Sequence, residues 1–366
     1  MSKKLQKKFK QFFYRLFKLF YGEINGVKSF KDDIRIKTLK VNFQDDIDYT
    51  VYKIQNGRLY TDRIQDTAII LDDNIIEGPS FQLRPINNVE AFENIVLRKG
   101  TPRFKKKLKG ITLSLLTGGA GNDNYFHWLY DVLPRIKICE KIVDISKIDY
   151  FLLPDVKLKY QSQTLDELKI PLKKRLTSKI FRHITSDEII VTQHPYCLMN
   201  DASKEIENIP IWISKWLKSS FLSSHDLNKK NYPNKIYIDR KDSISNNKNL
   251  RSILNENEVK AYLKKKDFTI LSLSDFSFKE QARIINNAKI IVGLHGAGFA
   301  NFCFCEPNTK VVELKSNTSG NMYRNLALSN KLNYTSVISE PIGINFNNQY
   351  GHIKVSIQDL EKKLNE

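Results

Sequence analysis

The stretch Ala288–Asn301, AKIIVGLHGAGFAN, constrains this chain more than any other. Ala288–Val292 has the composition of a buried strand. Gly293, Gly296 and Gly298 then crowd a short turn before Phe299, Ala300 and Asn301 open a helix. A strand that passes through glycines into a helix aims backbone N–H groups and the positive end of the helix dipole at whatever lies in front of it. Such a place favours an anion, most often phosphate. The glycines are expected to supply positive φ and room for a ligand to come close. The next strand, Lys310–Leu314, carries Glu313 near its end, fifteen positions after Gly298. A carboxylate there in a βαβ unit would meet the ribose of a nucleotide. The glycine order is G-x-x-G-x-G with His295 inside it, not the G-x-G-x-x-G of dinucleotide-binding proteins, which counts against NAD and FAD.

The rear half of the chain alternates strand and helix around that turn. Lys235–Ile238 reads as a strand ending in Asp239-Arg240-Lys241. A helix near Asn255–Lys265, the strand Thr269–Leu273 and the helix Phe278–Asn287 follow. Beyond Lys310–Leu314 come a helix around Met322–Ser329 and a strand near Tyr334–Ile338. This alternation predicts a parallel sheet with helices on both faces. Arg240, the loop Gly293–Gly298 and Glu313 all fall at strand C-termini, where such sheets bind ligands, so they are predicted to face one crevice.

The front half reads differently. Tyr49–Asp62 has the pattern of a hairpin, with Asn56-Gly57 as a type I′ turn. Ile111–Leu116 is a strand, followed by a loop rich in glycine and asparagine. Asn122, Asp123 or Asn124 is placed to cap the helix that carries His127 and Asp131. Four residues apart on a helix, those two share a face. A carboxylate beside an imidazole is an acid/base constellation, and equally a pair that serves stability. Trp212 and Trp216 on the helix Pro210–Leu222 read as core. The polar run Ser223–Pro233, SSHDLNKKNYP, reads as a linker. The expected division is a leader over 1–22, a front domain over 23–225, a rear domain over 234–340 and a tail over 341–366. The tail's last helix, Ser356–Leu364, is capped by Ser356.

At 366 residues, two domains are the natural expectation. The net charge of +19 raises nucleic acid as a partner, but no nucleic-acid-binding motif accompanies it, so no specific nucleic-acid binding is expected. The first 22 residues hold seven of the basic groups and no acid. Leu5, Phe9, Phe12, Leu16 and Phe20 recur there at helical spacing. Arg15 and Lys18 interrupt the apolar run, which is too short to cross a bilayer. The segment predicts an amphipathic helix lying on an anionic membrane surface. The cysteines, Cys139, Cys197, Cys303 and Cys305, are few and scattered and complete no zinc site. They suit a reducing compartment, the cytoplasm, with the chain held at the inner face of the membrane.

Several stretches recur together in order and spacing: Gly121–Pro134 with His127 and Asp131; Tyr237–Arg240 with Arg251 and Asn255-Glu256; Ser274 with Glu280-Gln281; and Val292–Gly298 with Asn301 and Val312-Glu313. In these the chain resembles the glycosyltransferases of family sixty-one, which include bacterial capsule and lipopolysaccharide enzymes. The resemblance spans roughly Leu113–Ser316. It implies a GT-B-like α/β architecture, two Rossmann-like domains facing a cleft, with the β-rich opening and the basic leader as additions. It also implies inverting transfer of a sugar from a nucleotide-sugar, UDP by family habit, to a glycan or lipid-linked acceptor, with no obligatory metal. The last helix is then expected to cross back to the front domain.

On this reading Asp131 is the first candidate for the base and His127 the second. Arg240 would grip the diphosphate with its planar fork. His295, Gly296, Ala297 and Gly298 would line its other side, and each aimed donor would contribute about 3 kcal/mol toward the developing charge. Asn301 would bind phosphate or brace the loop. Arg251 would be a second phosphate ligand or pair with Glu256. Glu313 would accept from the ribose. Two other classes remain at this point: a nucleotide-dependent oxidoreductase, and a noncatalytic membrane-associated scaffold for polysaccharide assembly.

Overall fold

The computed structural model describes residues 3–43, 47–61, 67–80, 91–116, 123–199, 201–222, 232–241, 251–343 and 351–366. Residues 117–122 of the loop before His127, with the cap candidate Asn122, and 223–231 of the expected linker lie outside the described residues. The described residues mix helices with three sheets, two of six strands and one of five. They divide into two compact units, Met1–Gln161 with Lys169–Glu205, and Ser162–Leu168 with Ile206–Glu366. The boundary at Glu205–Ile206 precedes the polar run chosen from the sequence. The reason is the helix Ile211–Phe221, which is core to the second unit. Trp212 and Trp216 are buried, the Phe221 ring lies 4.8 Å from that of Phe278, and Lys218 Nζ donates to the Cys305 carbonyl at 2.7 Å.

The second unit is built on the five-stranded sheet, and every pairing in it is parallel. Its strands are Lys235–Ile238, Thr269–Leu271, Ile290–Leu294, Lys310–Ser316 and Asn333–Ser339. Numbered in chain order they run 2-1-3-4-5 across the sheet. The central strands are almost wholly buried, as expected where helices cover both faces. Phe278–Asn287 begins with a capping box: Ser277 accepts from the Glu280 amide and Glu280 reaches back to the Ser277 amide. Its buried face, Phe278, Ala282, Ile284 and Ile285, repeats at helical spacing. The final helix Ile357–Asn365 is capped by Ser356. It packs within its own unit. Leu360 is buried in one cluster with Val259, Leu263 and Val337, and Lys310 Nζ donates to the Leu364 carbonyl at 2.8 Å. Its apolar stripe is satisfied by its own unit.

The first unit departs from a doubly wound domain. One of its sheets has a parallel core, Arg175–Thr177, Tyr150–Leu153, Ile111–Ser114 and Glu188–Thr192, in chain order 3-2-1-4. The antiparallel strands Ile47–Gln55 and Ile36–Phe43 extend it. One face packs against the unit's second sheet in a common core holding Tyr52, Ile54, Leu152, Ile189 and Val191 from the first sheet and Leu59, Ile69, Leu71 and Ile184 from the second.

The predicted hairpin at Asn56-Gly57 does not form. Ile47–Gln55 pairs in one sheet and Arg58–Thr61 in the other, so the turn passes the chain between sheets. Only Asn56 of the two has positive φ, at 52°. The tight hairpin is instead Thr67–Leu71 with Asn74–Ile76, joined by Asp72 and Asp73 at φ 45° and 58°, both positive as a type I′ turn requires.

Phe278 is fully buried, with Phe221 and Phe304 against its ring. Phe278→Ala should lower the stability of the second unit by about 3–5 kcal/mol in chemical denaturation. A loss below about 1 kcal/mol would show that this aromatic cluster is not the core of the unit.

Candidate active site

In the second unit the first and third strands are neighbours, so the topological switch point lies between Lys235–Ile238 and Ile290–Leu294. Open parallel sheets bind ligands beyond the strand C-termini at this point. Arg240 follows the first strand and the loop His295–Gly298 follows the third. They converge: Arg240 Nη1 donates to the His295 carbonyl at 2.8 Å.

The glycines owe their places to contact rather than to left-handed backbone: Gly293 and Gly298 lack positive φ, and Gly296, at φ 162°, is extended. A Cβ on Gly296 would stand 2.7 Å from Arg240 Cζ, and one on Gly293 would stand 2.9 Å from the Phe299 ring. Gly296 is therefore small because a guanidinium rests on it. The helix that follows is a 3₁₀ helix, Ala297–Phe304, whose first amides have no partner inside it. Asn301 is buried and its Nδ2 donates to the Gly298 carbonyl at 3.1 Å, which braces the turn.

Arg251 joins this group. Burial first, and the charge of nearby Arg240 second, push its pKa down to about 10. Its Nε and Nη1 are buried with no hydrogen-bond partner among the described residues. The pair with Glu256 is not made: Glu256 accepts from the Tyr237 hydroxyl at 3.0 Å and meets Lys260 at 3.3 Å. Buried donors left unmade are costly, and an anion is the kind of ligand that can satisfy them.

Glu313 partners His295. It is fully buried, with Oε1 2.5 Å from His295 Nδ1 and Oε2 accepting from the Tyr334 hydroxyl. Both oxygens are engaged within the unit, by His295 and by Tyr334. Burial lowers the His295 pKa; Glu313 opposes this, while Arg251 and Lys315 add to the lowering.

The first unit holds a second constellation at its own switch point, between Ile111–Ser114 and Glu188–Thr192. Asn124 caps the helix after the first of these strands, accepting from the Phe126 and His127 amides. Trp128–Val132 then widens into a π turn, with Leu133 N bonded to Trp128 O at 3.2 Å, before Pro134–Glu140 resumes the α-helix. Single π turns within helices are frequent at functional sites. His127 Nδ1 lies 2.8 Å from Asp131 Oδ2. Asp131 has no exposed surface, whereas the His127 side chain is 17% exposed. With Nδ1 on the carboxylate, Nε2 is the ring atom left to face a substrate.

His194 and Tyr196 follow the other strand. His194 Nδ1 accepts from the Tyr196 and Cys197 amides, so its proton sits on Nε2, 3.6 Å from Asp131 Oδ2. Arg135 is buried and donates to the Asp131 and Thr192 carbonyls. Burial alone would raise the Asp131 pKa, but the charge and hydrogen bond of His127, with His194, hold it well below the usual carboxylate range. Burial pulls His127 down, and Asp131 outweighs it, so the imidazole ends above its ordinary value.

The family described as Glycosyltransferase 61 matches residues 125–312, just over half of the chain. The chain belongs to glycosyltransferase family 61. As a glycosyltransferase it takes a sugar from a donor to an acceptor, and the matched span contains His127, Asp131, Arg240, Arg251 and the turn His295–Gly298. No curated protein matches the chain. Among the described residues, no group of three or more His, Cys, Asp or Glu side chains is arranged to hold a metal ion.

Of the residues singled out in the sequence, the structure gathers Arg240, Arg251, His295, Gly296 and Asn301 at one switch point, and His127 with Asp131 at another. His194, Tyr196 and Arg135 were missed. The signal was present, because His194 and Tyr196 follow a strand C-terminus just as Arg240 does.

His127 and Asp131 support one pH prediction. Because the folded-state pKa of His127 is raised, its ion pair stabilises the fold fully below the ordinary imidazole pKa, and that contribution fades as pH rises through the raised value. In Asp131→Asn burial acts unopposed, so the His127 pKa should fall below that of a free imidazole in an NMR titration. An unchanged titration would show that Asp131 does not hold the charge on His127.

Proposed function

We propose that this glycosyltransferase moves a sugar, with inversion and without an obligatory metal, from a nucleoside diphosphate sugar of the UDP class to a glycan or lipid-linked acceptor of surface polysaccharide, capsule or lipopolysaccharide. The division of labour follows the GT-B type: the second unit holds the donor and the first unit serves the acceptor. The observation that carries this reading is the pair Arg240 and Arg251 at the switch point, with two buried Arg251 donors unmatched.

In this proposal the two guanidiniums and the first amides of Ala297–Phe304 take the diphosphate. They neutralise the charge that builds on it as the glycosidic bond to the leaving phosphate breaks. Neutral His295, held through Nδ1 by Glu313, offers Nε2 to a hydroxyl of the donor. His127 Nε2 accepts the proton of the acceptor hydroxyl as its oxygen attacks the anomeric carbon from the face opposite the leaving group. Asp131 is too buried to be that base, so it holds the imidazole in the correct tautomer and stabilises the imidazolium that forms. His127 and His194 keep Asp131 ionised. The base first sought in Asp131 is thereby assigned to His127.

Removal of a general base costs about 10²–10⁴-fold in rate. His127→Ala should lower kcat by that amount, leave nucleoside diphosphate binding unchanged and lose the alkaline rise in activity. NMR of the product should show the anomeric configuration opposite to the donor. Wild-type turnover in His127→Ala, or a retained configuration, would remove this mechanism.

A further inference from the structure

The N-terminal helix Lys3–Tyr21 is outside the donor and acceptor chemistry, yet its lower end is firmly placed. Phe17 is buried with its ring 5.2 Å from Phe104, and the Tyr21 ring stands 5.0 Å from His183. Arg58 Nη1 donates to the Tyr21 carbonyl at 3.0 Å, and the Tyr21 hydroxyl accepts from the Lys105 amide at 3.1 Å. With Phe17 and Tyr21 fixed on the first unit, the rest of the helix presents its other side outward.

That side is aromatic. Phe9, Phe12, Leu19 and Phe20 are 58%, 62%, 85% and 69% exposed. At about 100° per residue they fall within an arc of roughly 100°. Exposed Lys8 and Arg15 border the arc. The surface continues into the body of the unit, where Phe104, 77% exposed, is flanked by exposed Arg103, Lys105 and Lys107. Apolar patches of this kind mark interaction sites. The chemistry of a cationic rim around projecting phenylalanines selects its partner: rings for the acyl boundary and cations for anionic headgroups. No helix among the described residues is long and apolar enough to cross a membrane.

We propose that helix Lys3–Tyr21, together with Arg103–Lys107, is a docking surface for a lipid bilayer carrying anionic headgroups. The helix lies in the interface plane with Phe9, Phe12, Leu19 and Phe20 inserted. The first unit, which holds His127, is thereby kept at the lipid surface. This docking does not depend on the proposed mechanism.

The test is co-sedimentation of the full chain with vesicles of phosphatidylcholine alone or mixed with phosphatidylglycerol. The substitutions lie on exposed side chains, and circular dichroism confirms folding of each variant. The wild type should bind the mixed vesicles and not the neutral ones. Arg15→Gln, Lys105→Gln and Lys107→Gln should each weaken binding by about fivefold, the equivalent of about 1 kcal/mol per charge. Phe9→Ser with Phe12→Ser should abolish it. Equal binding to both vesicle types, no binding, or binding unchanged in these variants would overturn the proposal. So would a dimer in solution that the Phe9 and Phe12 substitutions dissociate, since the face would then be covered by a second copy.

Discussion

The second unit buries two guanidinium donors of Arg251 without giving them an acceptor among the described residues. The neighbour of Arg251 is another arginine. Two like charges near one another oppose folding, and unmade donors add to that cost. A folded protein keeps such an arrangement where a ligand supplies the missing anion. The surrounding architecture is consistent with this. The 2-1-3-4-5 strand order opens a gap at the switch point, Gly296 has no side chain because Arg240 occupies that space, and Asn301 stiffens the turn.

The two units use the same small device to different ends. In each, a histidine after a strand is held through Nδ1 by a fully buried carboxylate, which leaves Nε2 outward. His127 keeps a raised pKa because Asp131 outweighs its burial. His295 ends lowered because burial is joined by the charges of Arg251 and Lys315. An imidazole near cations stays neutral and suits hydrogen bonding to a sugar or nucleotide. An imidazole whose carboxylate outweighs its burial is a stronger base. The difference in proposed role follows from what stands around each ring, not from the pair itself.

Much of the second unit was legible in the sequence because parallel strands buried on both faces are short apolar runs separated by helices. The turn Gly293–Gly298 and Arg240 sit at their ends. The i, i+4 spacing of His127 and Asp131 was equally readable, since it needs no knowledge of the tertiary fold. What was not legible came from long-range packing. Asn56-Gly57 has hairpin chemistry, yet its flanking strands join different sheets, which local sequence does not record. The contacts of Gly296 and Glu313 were not legible because each is decided by a distant partner: the Arg240 guanidinium on one, His295 and Tyr334 on the other. In the proposed mechanism burial likewise puts His127 ahead of Asp131; the two share a helix face and differ in depth.

The most direct measurement is calorimetric titration of a nucleoside diphosphate, and of the matching monophosphate, into the wild type and into Arg251→Ala and Arg240→Ala. The diphosphate should bind the wild type more tightly than the monophosphate does. Each substitution should erase most of that difference, and Arg251→Ala should leave the thermal stability of the free protein unchanged or higher, because buried donors with no partner among the described residues have been removed. Equal binding of diphosphate by the wild type and both variants would contradict the assignment of this arginine pair to the leaving group, and with it the placement of the donor.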